Sequence, residues 1–386
     1  MKSGKIKVLF LVNDFLVGGV QKLVIDQLAL LPRDKYEFVL VSLIQFGNKG
    51  TFYDRIPSDV KVYRLNFKGS MSLGEWWKLI KIIKKERPDI VKSALFFSNM
   101  VARLLKLFLG FKVIAAEHNT EERRQFRYIF MNWLLSPLAS TIVADSKTVA
   151  DFVSKTEHIP RKYFTVIYNG VELEEIERAK KEFEAKRSDI RREIGVDPNE
   201  TVFLNVARLS TQKNHKLMIE AFAEFIKIGN KGVLVIIGDG GLRAGLEEQL
   251  RQEKLQGRVI LLGERTDIYK FYTASDAFLL TSLREGFCIA AMNALAFGIP
   301  VISTKVAGLV EYIKDGENGF LRNHNKSELA EAMEKFVNLS PDEKLKVKEN
   351  ALLTAQDFST AKYAETYDKL YTKICIGDSQ RKQTNL

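Results

Sequence analysis

The sequence predicts an α/β protein made of two doubly wound domains, each a parallel sheet covered by helices. Two observations carry this expectation. Short β-branched runs alternate with longer amphipathic stretches through the first half, and the same alternation restarts near residue 200. Strands that alternate with helices imply βαβ units, which pair in parallel and are buried on both faces. Length agrees, because 386 residues suffice for two separate cores.

In order, residues 6–12 read as a buried strand, 20–31 as a helix and 38–44 as a strand. Residues 73–85 read as a helix, ended by Arg87-Pro88, with a strand near 89–92. Further strands are expected at 112–116, 140–144 and 164–167. The second series has strands at 201–207, 232–237, 258–262, 276–280 and 300–303. Helices are expected between them at 215–228, 242–254, 267–274 and 287–297, with a polar loop at 208–214. The charged segment 172–193 is poor in strand formers. It reads as the end of the first domain plus a charged helix and linker. The expected domains are therefore 1–190 and 191–355, and residues 377–386 read as a frayed tail.

Hydrophobic residues at 46% and charged residues at 28% describe an ordinary globular chain. No apolar run approaches the ~18 residues of a membrane-spanning helix. The start is a poor signal peptide, because its apolar run ends at Asn13-Asp14. Two cysteines, Cys288 and Cys375, exclude a disulfide framework, and four scattered histidines show no metal-ligand spacing. These features favour a reducing cytoplasm. The net charge of +11 is uneven: residues 1–150 hold 24 Lys and Arg against 13 Asp and Glu, which is the whole excess. A basic domain joined to a neutral one suggests an anionic partner on one side, although solubility alone explains such charge equally well.

Doubly wound sheets bind ligands beyond the carboxyl ends of their strands, so the post-strand loops hold the candidate residues. After the first strand, Gly18 and Gly19 open a helix, where backbone amides can approach an anion or sugar closely. A plain flexible loop fits this motif equally well. After the strand at 112–116 come Glu117, His118 and Asn119; His118 can contact a substrate or serve as a structural histidine. After 201–207 comes RLSTQKNH, whose Arg208 and Lys213 suit a diphosphate, Arg as a fork and Lys as a point charge. IIGDGGLR lacks the glycine that would complete a dinucleotide fingerprint and reads as a tight turn. In GERTD, Arg265 and Thr266 stand where a nucleotide base could lie, or Thr266 or Asp267 simply caps a helix.

The stretch REGFCIAAMNALAFGIP follows the strand at 276–280. It places Glu285 and Gly286 before a helix whose free amides at Phe287, Cys288 and Ile289 attract phosphate. Glu285 would repel that anion and so suits the hydroxyls of an attached sugar. Asn293, eight residues on, can meet a ribose edge or a helix neighbour.

EGFCIAAMNALAFGIPVIST resembles the signature of the family 4 retaining glycosyltransferases. GGVQKLV, AEHNT, VADSKTVADF, VIYNGVEL, ARLSTQKNH, IIGDGG, SDAFLLTSLREGF and AGLVEYIKDGENGFL stand in the matching order, so the resemblance spans residues 6–371. It implies the GT-B fold, two Rossmann-like domains facing a central cleft. The first would be the acceptor side and the second the donor side, with a final helix at 356–376 crossing back to the first domain. It implies sugar transfer from a nucleotide-diphosphate donor with retained configuration, no metal and no other cofactor. Arg208, Lys213 and the amides of Phe287, Cys288 and Ile289 would bind the diphosphate, and Glu285 the donor-sugar hydroxyls. His118 would sit against the reacting sugar, and the Gly18-Gly19 loop against diphosphate or acceptor. One position departs from the pattern: the family's second glutamate, which holds the donor ribose, is Asn293 here, an uncharged and weaker partner.

On the acceptor side, WWKLIKIIKK and RRQFRYIFMNWLL interleave aromatics with cations, as an interfacial helix does. They suggest peripheral docking on an anionic membrane at its inner face, with a glycan or lipid-linked acceptor for envelope, capsule or exopolysaccharide synthesis. Two helices packed on a sheet fit the same pattern. A sugar-nucleotide epimerase or a non-catalytic nucleotide-sugar-binding protein are the competing functions. Nucleic acid is disfavoured, because no recognition module accompanies the charge.

Overall fold

The computed structural model describes residues 4–16, 18–45, 51–68, 72–117 and 125–383, with side chains of the last helix as far as Ile376. The chain divides into two compact units, residues 1–170 with 360–386, and residues 171–359.

The first unit is a seven-stranded sheet of β1 (Ile6–Val12), β2 (Tyr36–Ser42), β3 (Lys61–Arg64), β4 (Ile90–Ala94), β5 (Lys112–Glu117), β6 (Thr141–Ala144) and β7 (Phe164–Val166). All pair in parallel in the order β3-β2-β1-β4-β5-β6-β7. Its helices are α1 (Gly19–Leu30), α2 (Leu73–Glu86), α3 (Phe96–Leu109), α4 (Phe126–Leu135) and α5 (Lys147–Thr156). Successive strand residues point to opposite faces, so one apolar run feeds two cores. Val8, Phe10 and Val12 join Phe38 and Leu40 on the face covered by α1. Leu9 and Leu11 join Val39 and Val41 on the face covered by α2 and α3.

The second unit opens with α6 (Leu173–Phe183) and α7 (Arg187–Glu193). Its strands are β8 (Val202–Val206), β9 (Val233–Ile237), β10 (Val259–Gly263), β11 (Ala277–Leu280), β12 (Val301–Thr304) and β13 (Gly319–Arg322). They pair in parallel in the order β10-β9-β8-β11-β12-β13. The covering helices are α8 (His215–Lys227), α9 (Arg243–Gln252), α10 (Ile268–Ala274), α11 (Ile289–Ala296), α12 (Lys326–Val337) and α13 (Pro341–Gln356). The expected division at residue 190 is displaced to 170, so α6 and α7 are part of the second unit. A carboxylate decides this. Asp276, just before β11, takes Arg187 at 2.6 Å and Arg191 at 2.7 Å and accepts from the Val202 amide. The charged helices thereby lock to the strand ends of the second sheet.

The chain returns to the first unit as α14 (Thr360–Gln383). The segment 377–383, expected as a tail, continues this helix. Gly377 costs only about 1 kcal/mol in a helix, and the following Gln, Arg and Lys are good helix formers. Tyr363, Tyr367 and Tyr371 recur every four residues and enter the core beside α1. Buried Gln27 donates to the Tyr363 hydroxyl at 2.6 Å and accepts from Tyr371 at 2.7 Å. Asp368 pairs with Lys35 at 2.7 Å and accepts from Tyr36 at 2.6 Å. Lys92 of β4 is buried with its amine 3.8 Å from the Tyr367 ring centre, and burial holds its pKa well below the usual lysine range. Gln27→Ala strips buried phenols of their amide, so it should lower unfolding free energy by about 2–4 kcal/mol in a denaturant titration.

Candidate functional site

The chain order of the second sheet reverses between β8 and β11, and a doubly wound sheet opens a crevice at such a reversal. The two flanking loops carry the candidate cations and the candidate acid. Lys213 ends a short 3-10 turn, Thr211–Lys213, and Asn214 follows in the left-handed region at φ 51° before α8 begins. Lys213 Nζ lies 2.6 Å from Glu285 Oε1, and Ser282 donates to the same oxygen at 2.5 Å. The sequence reading gave Lys213 to a phosphate and Glu285 to a sugar separately; the fold joins them as a part-buried ion pair, with Glu285 the buried member.

The pair is fastened from both loops. Gln212 accepts from the Leu283 amide at 2.8 Å and donates to the Arg284 carbonyl at 3.0 Å. Thr281 donates to the Asn214 carbonyl at 2.9 Å. Thr304 donates to the Ser282 carbonyl at 2.9 Å, and His324 Nε2 lies 3.0 Å from that oxygen. Burial pulls the Lys213 pKa down, but the Glu285 carboxylate, through its charge and its hydrogen bond, raises it overall. Burial, reinforced by Glu285, pushes the Cys288 thiol up to about 12, so it remains a thiol. Its sulfur faces the amides of Ala291 and Ala290 at the start of α11.

Arg208 is exposed and has no side-chain ion pair or hydrogen bond among the described residues. Its loop is set by the turn that the sequence marked as tight. A Cβ on Gly238 would lie 2.0 Å from the Ala207 carbonyl oxygen, and one on Gly240 2.4 Å from that of Leu209. Only glycine permits this approach. The same holds at Gly308, where a Cβ would lie 1.7 Å from the Gly286 oxygen, so the 305–308 loop presses directly on the Glu285-Gly286 turn.

The other candidates divide. Phe287 and Cys288 are buried and Ile289 is half-buried, with α11 beginning at Ile289 and Cys288 as its cap residue. Phe287 packs against Tyr312 and Phe358. Asn293 is buried at 7% exposure, its side chain beside the Tyr272 hydroxyl, which donates to the Ala290 carbonyl at 3.0 Å. Arg265 and Thr266 are exposed, and the Arg265 guanidinium grips Asp267 at 2.8 and 2.7 Å, holding that carboxyl well below the usual range. Gly18 and Gly19 lie in the first unit at its own reversal between β1 and β4, where Asn13 Oδ1 accepts from the Ser98 amide at 2.9 Å. His118 lies outside the described residues. Among the described residues, no group of three His, Cys, Asp or Glu side chains converges as metal donors.

Sequence reasoning missed Ser282, Thr304, His324, Gly308 and His215. Ser282 stands three residues before Glu285 and His215 two residues after Lys213, local signals that were available; Thr304, His324 and Gly308 reach the site only through tertiary contact. His215 is fully buried behind Lys213. Asn205 donates to Leu279 at 2.8 Å, so its Oδ1 faces His215 Nε2 at 3.0 Å. This assigns the ring proton to Nε2 and leaves Nδ1 as a buried acceptor with no partner among the described residues. Burial, then the Lys213 charge, lowers its pKa to about 4.

Between that value and the ordinary histidine pKa, the unfolded chain binds a proton that the folded one refuses. Stability is therefore full above pH ~6.5 and falls by up to about 3 kcal/mol as pH drops towards 4. Urea titrations at pH 7 and pH 4.5 should show this loss, and it should shrink in His215→Gln.

A family model described as Glycosyl transferases group 1 matches residues 186–353, and one described as Glycosyltransferase Family 4 matches residues 17–175. The chain is 27% identical over 340 residues to the Escherichia coli UDP-Gal:alpha-D-GlcNAc-diphosphoundecaprenol alpha-1,3-galactosyltransferase, covering 83% of this chain and 85% of that protein. It is 22% identical over 318 residues to the Bacillus anthracis N-acetyl-alpha-D-glucosaminyl L-malate synthase, covering 79% and 80%. The solved structure of Anabaena HepE in complex with UDP matches with a TM-score of 0.80 at 22% identity, covering 95% of this chain and 100% of that one. That likeness shows the fold, two Rossmann-like parallel-sheet units of the GT-B class.

Proposed function

Because the chain belongs to glycosyltransferase family 4, we propose that it moves a sugar from a nucleotide-diphosphate donor to a lipid-linked glycan, with retained anomeric configuration. The observation that carries this reading is the Lys213–Glu285 pair at the sheet reversal, with Arg208 free beside it. Charge develops on the diphosphate as the sugar leaves. A fixed ammonium and a guanidinium meet that charge without reorganising, and they supply the counter-charge that a metal would otherwise provide. Glu285 has one oxygen committed to Lys213 and Ser282. Its other oxygen is the group we assign to donor-sugar hydroxyls. His118 takes the role the resemblance implies, contact with the reacting sugar. Arg265, Thr266 and the amides of Phe287, Cys288 and Ile289 remain donor contacts in this reading, as does the Gly18-Gly19 loop.

A uridine diphosphate sugar is the donor we favour, because the Escherichia coli relative is named for UDP-Gal and the Anabaena structure holds UDP. The Bacillus anthracis relative is named for a malate acceptor and the Escherichia coli one for a diphosphoundecaprenol-linked sugar. We favour the lipid-linked acceptor because it agrees with the surface of the first unit. On α2, Leu73 and Trp77 are exposed, with Lys81 Nζ 3.2 Å from the Trp77 ring centre. On α4, Phe126, Phe130, Trp133 and Leu134 are exposed. These faces and the basic charge support docking at the inner face of a membrane and a role in envelope, capsule or exopolysaccharide synthesis. Among the described residues, no helix is long and apolar enough to cross one. Neither the epimerase nor the non-catalytic reading is favoured, because the relatives carry transferase and synthase names.

Nucleoside diphosphate release from a panel of nucleotide sugars tests the reaction. Arg208→Ala and Lys213→Ala should each cut turnover about 100-fold or more with the fold intact by circular dichroism; near-normal rates in both would place the diphosphate elsewhere. In flotation with phosphatidylglycerol vesicles, the protein should rise with lipid at low salt and remain below at about 1 M salt, where screening is short-ranged. No flotation at low salt would sink the docking idea.

A further inference from the structure

The first unit contains an apolar cavity of about 440 Å³, bounded by Phe67, Phe96, Phe97, Met100 and Met131. That volume matches a small-molecule site, yet its walls offer almost nothing to a polar ligand. Its geometry follows from the chain. Leu95 sits at φ 75°, a strained value for a leucine, and turns the end of β4 so that Phe96 and Phe97 open α3 together on the cavity wall. Phe67 meets Phe97 edge-on at 5.8 Å, and Phe96 meets Tyr128 of α4 edge-on at 4.6 Å. The opposite wall, α4, is held from beneath. Buried Arg103 of α3 donates to Asn132 of α4, which donates to Glu157 beyond α5.

Two features say what this cavity takes. First, Arg127 stands at its edge, exposed, with its guanidinium 4.8 Å from the Tyr128 ring centre and hydrogen-bonded to that hydroxyl at 3.1 Å. It has no acidic partner among the described residues, so an apolar pocket ends at one available cation. Second, α4 carries a separate exposed stripe. Phe126 and Phe130 lie 6.4 Å apart and Phe130 and Trp133 5.9 Å apart, as ring centres. The same short helix therefore offers one face to the cavity and an aromatic face to its surroundings. A molecule matching all three parts is an amphiphile with an aliphatic chain and an anionic head.

We propose that this cavity is a subsite for a phosphorylated lipid, the aliphatic chain lying between α3 and α4 and the adjoining phosphate pairing with Arg127. The proposal rests on the transferase reading above and names the part of the acceptor that the first unit grips. The sugar-bearing end of that acceptor needs no contact here. A polyprenyl phosphate satisfies this chemistry; inorganic phosphate has the head without the chain.

The test is calorimetric titration of the full chain with dodecyl phosphate below its micellar concentration, with inorganic phosphate in parallel and UDP on the same samples. Dodecyl phosphate should bind at one saturable site at least about tenfold more tightly than inorganic phosphate. Met100→Trp and Ile44→Trp, at two residues that line the cavity, should each weaken it about tenfold or more, and Arg127→Ala about fivefold, with UDP affinity and melting temperature unchanged. Equal dodecyl phosphate affinity in wild type and in both tryptophan variants, or no preference over inorganic phosphate, overturns the subsite. Failure of the wild-type protein to bind UDP would instead count against the transferase reading, and the dodecyl phosphate comparison would still decide the cavity.

Discussion

A carboxylate inside a protein has to be matched by a cation and hydrogen bonds, because desolvation costs several kcal/mol. Glu285 is such a group, and the second unit is arranged around its match. Lys213 comes from the loop after β8 and Ser282 from the loop after β11, so the pair exists only when these loops meet. Gln212, Thr281, Thr304 and His324 fix the backbone on either side. Gly308 lets a third loop press onto the turn. Removing one partner leaves a buried charge, so the ion pair enforces one loop geometry more than it adds stability. That geometry leaves Arg208 exposed with its guanidinium uncommitted.

The two units solve different physical problems. The second concentrates fixed charge at one sheet reversal and carries no positive excess, with 27 Lys and Arg against 30 Asp and Glu over residues 171–359. The first holds the net positive charge, and its candidate features are apolar: exposed aromatic faces and a cavity ending at one cation. A reaction joining a water-soluble nucleotide sugar to an amphiphile needs both. Donor chemistry wants preorganised dipoles in a site with little water, whereas a lipid chain wants area removed from water.

Asn293 takes a different aspect once α11 is seen in place. A glutamate there would be a charged group beside the Tyr272 hydroxyl, which burial holds neutral. An amide sits beside the phenol without adding charge. The departure from the family pattern is thus consistent with its local environment.

Much of the architecture was legible because strand and helix periods are local. The runs at 6–12 and 201–207 mark strands, and the polar loops after them mark the sheet ends. Two strands were harder: β3 (KVYR) and β13 (GFLR) hold only two hydrophobic residues each, beside charged or glycine ends, whereas the equally short β11 (AFLL) is an unbroken apolar run. The segment 172–193 looked like a linker because its partner, Asp276, lies 85 residues beyond Arg191.

The sequence by itself determined the class of fold, the basic first unit and the neighbourhoods of Arg208, Lys213 and Glu285, since each rests on residues close along the chain. Only the tertiary structure decided which groups share a site. Lys213 and Glu285 are 72 residues apart and Gln27 and Tyr371 are 344 apart. No local pattern encodes such pairs, because they form when parallel strands bring distant loops to one edge and a closing helix to one core.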